Sequence, residues 1–522
     1  MTSNTIKFKD SEIQGREDIS WHGKKYYSFL GIPYAEPPIG DLRFLPPKPV
    51  KNYPKHIDAT GFKNCCIQYY GPKLIVGSED CLYLNIFIPK RPSPNTLLPV
   101  NFFIHGGSHR TFSSNTIMPL LLIEYDFITV TFNYRLHALG FLNLGVPDCP
   151  GNVGLKDQLC ALQWVKDNIK YFGGDSENIT LCGMSSGASS AHMMVMSPLF
   201  KNLSKKLILC GGHALSAWNL NPSPLKLAFK LGRKFGYDGN NKEKLLNLLK
   251  SLSAEKLLEA IRMIGNENLE MPSCHSFQPS IECIKEGAFL PDHPKNLWKN
   301  VNSISIINGI NENEGIYFLR NLEFYRLASH FETLKVIIAD LTSVRKEFLE
   351  NMFEEIISFY KITESDDQEN FDAKLRLFTD LILKDYYTTF DFLHKSSHSY
   401  SIFNYRFTYC GENNKMMNIW RRQLKWNIEG TYHVDEYGYA VINKDFHLSG
   451  KDMEVAHNIC TLWGNFIKYG NPNREILNNL WLPSTEEMPC YLEIGENLHL
   501  RNGYTNPEQA AFWKYLSSKY NL

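Results

Sequence analysis

Asn178-Ile179-Thr180-Leu181-Cys182-Gly183-Met184-Ser185-Ser186-Gly187-Ala188 runs from an apolar β-type segment through Gly-x-Ser-x-Gly into a helix-compatible segment. Such a stretch reads as strand, sharp turn, helix. A serine at the apex must take strained backbone angles, and Gly183 and Gly187 remove side chains that would strike the adjoining strand and helix. Ser185 is then lifted above the sheet, and the amide of Ser186 lies at a helix N-terminus, where unpaired N–H groups and the helix dipole favour negative charge. These are the needs of acyl transfer: a reachable nucleophile and a place for an oxyanion. Glycines around a serine also make ordinary turns. What separates the two readings is the strand before, the helix after, and partners in the order Ser, acid, His.

With 522 residues, 43% of them hydrophobic and 13% aromatic, the chain can bury a large core. No repeat, low-complexity tract or linker divides it, and α/β enzymes often reach this size, so one domain over 1–522 is expected. Fifty-five residues of each charge cancel, which favours neither nucleic acid nor an anionic membrane as a partner. Met1-Thr2-Ser3-Asn4-Thr5-Ile6-Lys7-Phe8-Lys9-Asp10 lacks the apolar core of a signal peptide, and no run is long and apolar enough to span a bilayer. With Met1 as the start, the expected address is cytoplasmic. The twelve cysteines form no CxxC pair and read as mostly buried, reduced thiols. Cys66 and Cys81 are the pair to watch, because they bracket a short loop rich in turn residues.

Residues 24–47 supply edge-strand material broken by prolines. Residues 78–88 alternate polar and apolar side chains, as a strand does. Arg43 and Glu79 pair or remain two solvated charges. A second apolar strand, Val100-Asn101-Phe102-Phe103-Ile104, delivers His105-Gly106-Gly107-Ser108-His109. Adjacent glycines there either let backbone N–H groups approach a ligand or make a plain turn. Leu155, Leu159, Leu162, Val165 and Ile169 recur at helical spacing ahead of Gly173-Gly174. The resulting strand-helix alternation marks an α/β chain with a mostly parallel central sheet flanked by helices. Further strands are expected at 207–210, 304–307 and 401–405. Helical patterns over about 224–264 and 322–393 are too long for simple crossovers and read as insertions that wall a pocket.

The acid is sought after the strand at 304–307, where Asn308-Gly309-Ile310-Asn311-Glu312-Asn313-Glu314-Gly315 follows. Ligands bind at the C-terminal ends of strands in open α/β sheets. Glu314 is preferred and Glu312 competes; either is otherwise a solvated loop carboxylate. The base is sought after the strand at 401–405, where His433 stands out among 16 histidines by chain order and loop placement. His109 is the other candidate, but it precedes the nucleophile and lies on the glycine loop.

Four segments together resemble the type-B carboxylesterase and cholinesterase family. They are Ser78-Glu79-Asp80-Cys81-Leu82-Tyr83-Leu84-Asn85, Asn133-Tyr134-Arg135 through Gly140-Phe141-Leu142, Gly151-Asn152-Val153-Gly154-Leu155-Lys156-Asp157-Gln158, and Phe172-Gly173-Gly174-Asp175 through Gly187. Phe277-Gln278-Pro279-Ser280-Ile281-Glu282 and Phe289-Leu290-Pro291-Asp292-His293-Pro294 bring the resemblance nearest to insect intracellular α-esterases. The resemblance implies an α/β-hydrolase fold whose helical insertions wall a gorge, and a triad of Ser185, Glu314 and His433. It further implies oxyanion donors at Gly107, Ser108 and Ser186, pairs of Arg43 with Glu79 and Arg135 with Asp157, and a Cys66–Cys81 bridge where redox conditions permit. Trp218, Tyr317 and Phe318 match gorge-lining positions, and are otherwise core aromatics. His109 stands beside them as a pocket residue.

The departures from that pattern matter. Met184 and Ser186 replace the usual Glu and Ala around the nucleophile, which removes a supporting carboxylate. Ser108 replaces a third glycine and narrows the oxyanion loop, which implies weaker activity on bulky esters and altered reaction with organophosphates. Cys210-Gly211-Gly212-His213 replaces Gln-Ser-Gly-Ser and alters the polar network behind the nucleophile. The Cys66–Cys81 loop contains no tryptophan to hold a quaternary ammonium, which disfavours choline esters. The elbow also departs from the Gly-Gln-Ser-Ala-Gly of juvenile hormone esterases. The expectation is a carboxylic ester hydrolase that acts on small apolar esters, in xenobiotic or lipid ester detoxification or organophosphate binding. It needs no metal or cofactor, and works as a monomer or weak homo-oligomer. The alternative is a catalytically weakened binding or scavenger protein. A metallohydrolase finds no support, since no His-Glu-x-x-His occurs and His433-Val434-Asp435-Glu436 has no second ligand cluster.

Overall fold

Eleven strands form the central sheet, and their order follows from which of them are buried on both faces. In chain order they are β1 (Arg16–Ile19), β2 (Lys25–Pro33), β3 (Tyr83–Ile88), β4 (Leu98–Ile104), β5 (Ile128–Phe132), β6 (Gly174–Met184), β7 (Lys206–Cys210), β8 (Ser305–Asn311), β9 (Ile402–Phe407), β10 (Cys490–Ile494) and β11 (Leu498–Asn502). The spatial order is β11-β10-β9-β8-β7-β6-β4-β5-β3-β2-β1. From β5 to β10 every neighbour is parallel, and antiparallel pairs finish both edges. The parallel strands β5 and β7 are apolar or β-branched almost throughout, as burial on both faces requires. The computed structural model describes residues 4–71, 73–93, 96–266, 277–298, 301, 303–319, 321–395, 401–412, 414, 425–441, 448–474 and 480–522. Pro72, in the loop searched for a tryptophan, lies outside them.

Helix α1 (Val153–Asn168) buries Leu155, Leu162 and Val165 against the sheet. A single 3-10 turn then ends at Gly173, and Gly174 already belongs to β6 rather than to the helix stop. Helix α2 (Ser186–Met196) starts on the residue after Ser185 and is buried along its whole length. The segments expected as insertions are helical: α3 (Pro224–Arg233), α4 (Lys242–Ser251) and α5 (Ala254–Asn266) in the first, and α6 (Phe331–Thr342), α7 (Leu349–Tyr360) and α8 (Gln368–Lys395) in the second. The second set encloses its own apolar cluster, around Ile337, Ile356, Phe371 and Phe378.

Two ion pairs, one buried and one half-buried, pin loops to these layers. Arg135 donates from Nε and Nη2 to the two Asp157 oxygens at 2.8 and 2.7 Å, and its backbone N–H donates to the same carboxylate at 3.0 Å. Arg43 donates to Glu79 at 2.7 Å, and its Nη1 reaches the carbonyl oxygens of Lys250 at 3.1 Å and Leu252 at 2.6 Å. That guanidinium therefore takes up carbonyls left open at the end of α4. Cys66 and Cys81 are joined by a disulfide. Among the described residues, no helix is long and apolar enough to cross a membrane.

Candidate active site

Ser185 sits at the end of β6 with φ +53° and ψ −126°, outside the regions a side chain prefers. The strain is imposed by packing. A Cβ on Gly183 would lie 2.3 Å from the Gly187 carbonyl oxygen, and one on Gly187 would lie 2.2 Å from that of Ile104. Only glycines let β6, β4 and α2 close on each other this tightly. The turn is then fixed by the Ser185 N–H, which donates to the Cys210 carbonyl at 2.7 Å.

Two loops bring the other groups to the same rim. After β8, Glu314 is fully buried, and its Oε1 accepts the Asn311 N–H at 2.7 Å. The loop after β9 is stitched to it: the Asn313 N–H donates to the Thr431 carbonyl at 3.0 Å and the Glu312 N–H to Thr431 Oγ1 at 2.9 Å. His433 then lies between Glu314 and Ser185. Its Nδ1 meets Glu314 Oε2 in a short hydrogen bond, and its Nε2 lies 2.9 Å from Ser185 Oγ. A carboxylate only accepts, so the proton belongs on Nδ1 and the Nε2 lone pair faces the serine hydroxyl. Glu312, the competing acid, pairs instead with Arg406 at 3.1 Å and is partly exposed.

The electrostatics follow from that enclosure. Burial by itself pushes the His433 pKa down, but the Glu314 charge and its hydrogen bond outweigh burial and hold it above its ordinary value. A second carboxylate, Glu436, accepts from Asn311 Nδ2 at 2.6 Å and from the Tyr405 hydroxyl at 2.9 Å. Burial, then the neighbouring Glu314 charge, pushes Glu436 up to about 7. Sequence reasoning did not assign Glu436 a role. The signal was its place three residues after His433, on one turn of chain. Met184 removes a carboxylate beside the nucleophile, yet Glu436 leaves one behind the acid.

The glycine loop curls over the serine. Ser108 and His109 are consecutive residues at positive φ, +55° and +57°. Among the described residues, no backbone carbonyl takes the N–H of Gly107 or Ser108, and Ser186 opens α2 with its N–H free of any helical bond. The Ser108 hydroxyl turns across the site to the Tyr317 hydroxyl at 2.6 Å. His109 does not line the pocket as expected. The double left-handed turn drives it inward, where it is fully buried, meets Ser190 Oγ at 3.0 Å and packs on Phe141 at 4.8 Å. Burial, then the nearby His105 and Arg110, lowers its pKa to about 3, so it stays neutral. The next residue, Arg110, takes the place at the wall.

The cavity over Ser185 and His433 is narrow, about 40 Å³. Trp218, Tyr317, Phe318 and Ile382 form its apolar wall. Ser108, Arg110 and Gln278 supply the polar one. Tyr317 and Trp218 stand edge-on to the His433 ring at 5.3 and 6.5 Å. Phe277-Gln278-Pro279-Ser280-Ile281-Glu282 owes part of its character to Glu282, which is buried and bonded to Lys156 at 2.6 Å. Among the described residues, no His, Cys, Asp and Glu group has the arrangement of a metal site.

The model of the carboxylesterase family matches residues 2–513. The chain belongs to the carboxylesterase family. Among curated relatives, it is 36% identical over 322 residues to a carboxylic ester hydrolase of Bombus ignitus, covering 60% of this chain and 57% of that one. To venom carboxylesterase-6 of Apis mellifera it is 35% identical, over 63% of this chain and 61% of the other. The matched region thus spans about three fifths of both bee proteins. Esterase FE4 of Myzus persicae is 31% identical over 92% of this chain and 87% of its own. In structure, the chain resembles the juvenile hormone esterase of Manduca sexta solved with OTFP covalently attached, with a TM-score of 0.87, 27% identity and 99% of each chain covered. The sheet order and this likeness make the fold an α/β-hydrolase.

Proposed function

We propose that this protein hydrolyses small carboxylic esters through an acyl-enzyme on Ser185. The observation that carries the reading is the continuous hydrogen-bonded chain Ser185–His433–Glu314, open to the cavity at its serine end. In this reading Ser185 Oγ attacks the ester carbonyl carbon while His433 Nε2 takes the hydroxyl proton, and Glu314 steadies the imidazolium. The carbonyl oxygen becomes an oxyanion facing the N–H groups of Gly107, Ser108 and Ser186. The tetrahedral adduct expels the alcohol, which takes the proton from His433. Water, deprotonated by the same nitrogen, then attacks the acyl carbon, releases the acid and restores the serine. Trp218, Tyr317, Phe318 and Ile382 suit an apolar acyl or alcohol part, and this supports a role in xenobiotic or lipid ester turnover and in capture of organophosphates.

The test is an intact-mass and kinetic experiment. A chromogenic ester should give a stoichiometric burst, a fluorophosphonate should label Ser185, and Ser185→Ala should abolish both. No burst and no labelling in the parent protein would favour a binding or scavenger role. We further propose one domain over 1–522, acting as a monomer or weak homo-oligomer. The expected cytoplasmic address and the Cys66–Cys81 bridge pull in opposite directions, because disulfides persist in oxidising compartments. Thiol trapping of the protein in fractionated cells decides between them.

A further inference from the structure

Arg110 lines the cavity that holds Ser185 and His433, yet no carboxylate, carbonyl or ring among the described residues receives its guanidinium. This contrasts with the buried arginines among the described residues, Arg43 and Arg135, which each hold a carboxylate with a forked grip. His109 and His137 both feel its charge and both titrate near 3, first through burial, then through His105 and Arg110 for His109 and through Arg110 for His137. Two further polar atoms of the wall, Gln278 Oε1 and Trp218 Nε1, are buried without a hydrogen-bond partner. Such atoms carry a desolvation cost until a ligand meets them. The wall therefore offers a lone cationic fork, one N–H donor and one carbonyl acceptor beside an apolar floor.

We propose that the cavity selects esters that carry an oxyanionic substituent, such as a free carboxylate, which Arg110 grips, with Trp218 Nε1 as a further donor. This rests on the reading of Ser185 as the nucleophile and names the substrate class for it. The planar guanidinium matches a carboxylate bidentately, which a lysine or a neutral donor does less well. The same charge repels cationic esters, which agrees with the missing tryptophan in the Cys66–Cys81 loop.

Monoethyl adipate and ethyl hexanoate are close in shape and differ by one carboxylate, so their ratio of kcat/KM isolates the charge. That ratio, followed by alkali uptake in a pH-stat, should fall about tenfold in Arg110→Gln, the loss of one charge-assisted contact. It should stay within about threefold of the parent in Arg110→Lys, which keeps the charge and loses only the fork. Because Arg110 is exposed, 0.5 M sodium chloride should shrink the parent's ratio toward that of Arg110→Gln. An unchanged ratio in Arg110→Gln overturns the proposal. Calorimetry on Ser185→Ala protein, which binds without turnover, asks the same question of affinity. Preference for the hemiester there, lost on adding Arg110→Gln, supports the proposal even if the nucleophile assignment fails; equal binding of both esters sinks it even if hydrolysis is rapid.

Discussion

Ser108→Gly is the substitution on which stability and specificity should separate. Ser108 holds a left-handed backbone at φ +55°, which costs a non-glycine residue about 1–2 kcal/mol. Its hydroxyl bonds Tyr317 at 2.6 Å, a contact worth about 1 kcal/mol, and glycine adds about 0.7 kcal/mol of chain entropy to be lost on folding. These terms cancel to within about 1 kcal/mol, so the midpoint of thermal unfolding should hardly move. The cavity should respond instead. Ser108 and Tyr317 both line the narrow cavity over Ser185, so removing the serine side chain widens it beside the bridge the two hydroxyls make. Each methylene newly accommodated in an apolar wall is worth about 0.8 kcal/mol, so two of them raise kcat/KM about 15-fold. The assay compares 4-nitrophenyl acetate with the butyrate in parent, Ser108→Gly and Tyr317→Phe. The butyrate-to-acetate ratio should rise about 15-fold in Ser108→Gly and much less in Tyr317→Phe, which breaks the bond and leaves the space filled. An unmoved ratio in Ser108→Gly, or an equal rise in both variants, refutes the argument that the serine side chain limits acyl size.

Three further outcomes follow from the buried charges. His433 must be neutral to accept the serine proton, and its pKa is raised in part by Glu436, so Glu436→Gln should move the acid limb of the kcat/KM profile to lower pH. Glu436 itself titrates near 7 in the folded protein against 4.5 ordinarily, so the stability it confers when protonated is lost as pH rises through that window. Melting points of Glu436→Gln and parent should therefore diverge between about pH 4.5 and 7, the variant gaining, and run parallel above. Asp157→Asn leaves the Arg135 guanidinium buried without its counter-charge and should cost about 3–5 kcal/mol in urea unfolding, with unchanged m-value.

The elbow was legible because its constraints are local. Gly183, Ser185 and Gly187 encode the turn within a single strand-helix junction, and the contacts a Cβ would make there show why no other residues fit. That a carboxylate after this strand would serve was legible from its position, and Glu314 was preferred to Glu312 for its place next to Gly315. What separates them is burial, since two residues along the chain put one carboxylate at His433 and the other at Arg406. His109 was expected at the pocket and Arg110 was given no role, because consecutive left-handed residues reverse which side chain faces the cavity, and local sequence gives no periodicity from which to read that.

By itself the sequence determined the α/β alternation, the strained nucleophile turn and the chain order of serine, acid and histidine. Each of these depends on neighbours a few residues apart or on the hydrophobic period. Only the tertiary structure decided that Glu436 sits behind the acid, that the Ser108 hydroxyl reaches Tyr317 across 209 positions of chain, and that Arg110 rather than His109 faces the substrate. Those outcomes depend on which distant side chains share a low-dielectric space, where the absence or presence of one partner sets a charge, and no local pattern records such a meeting.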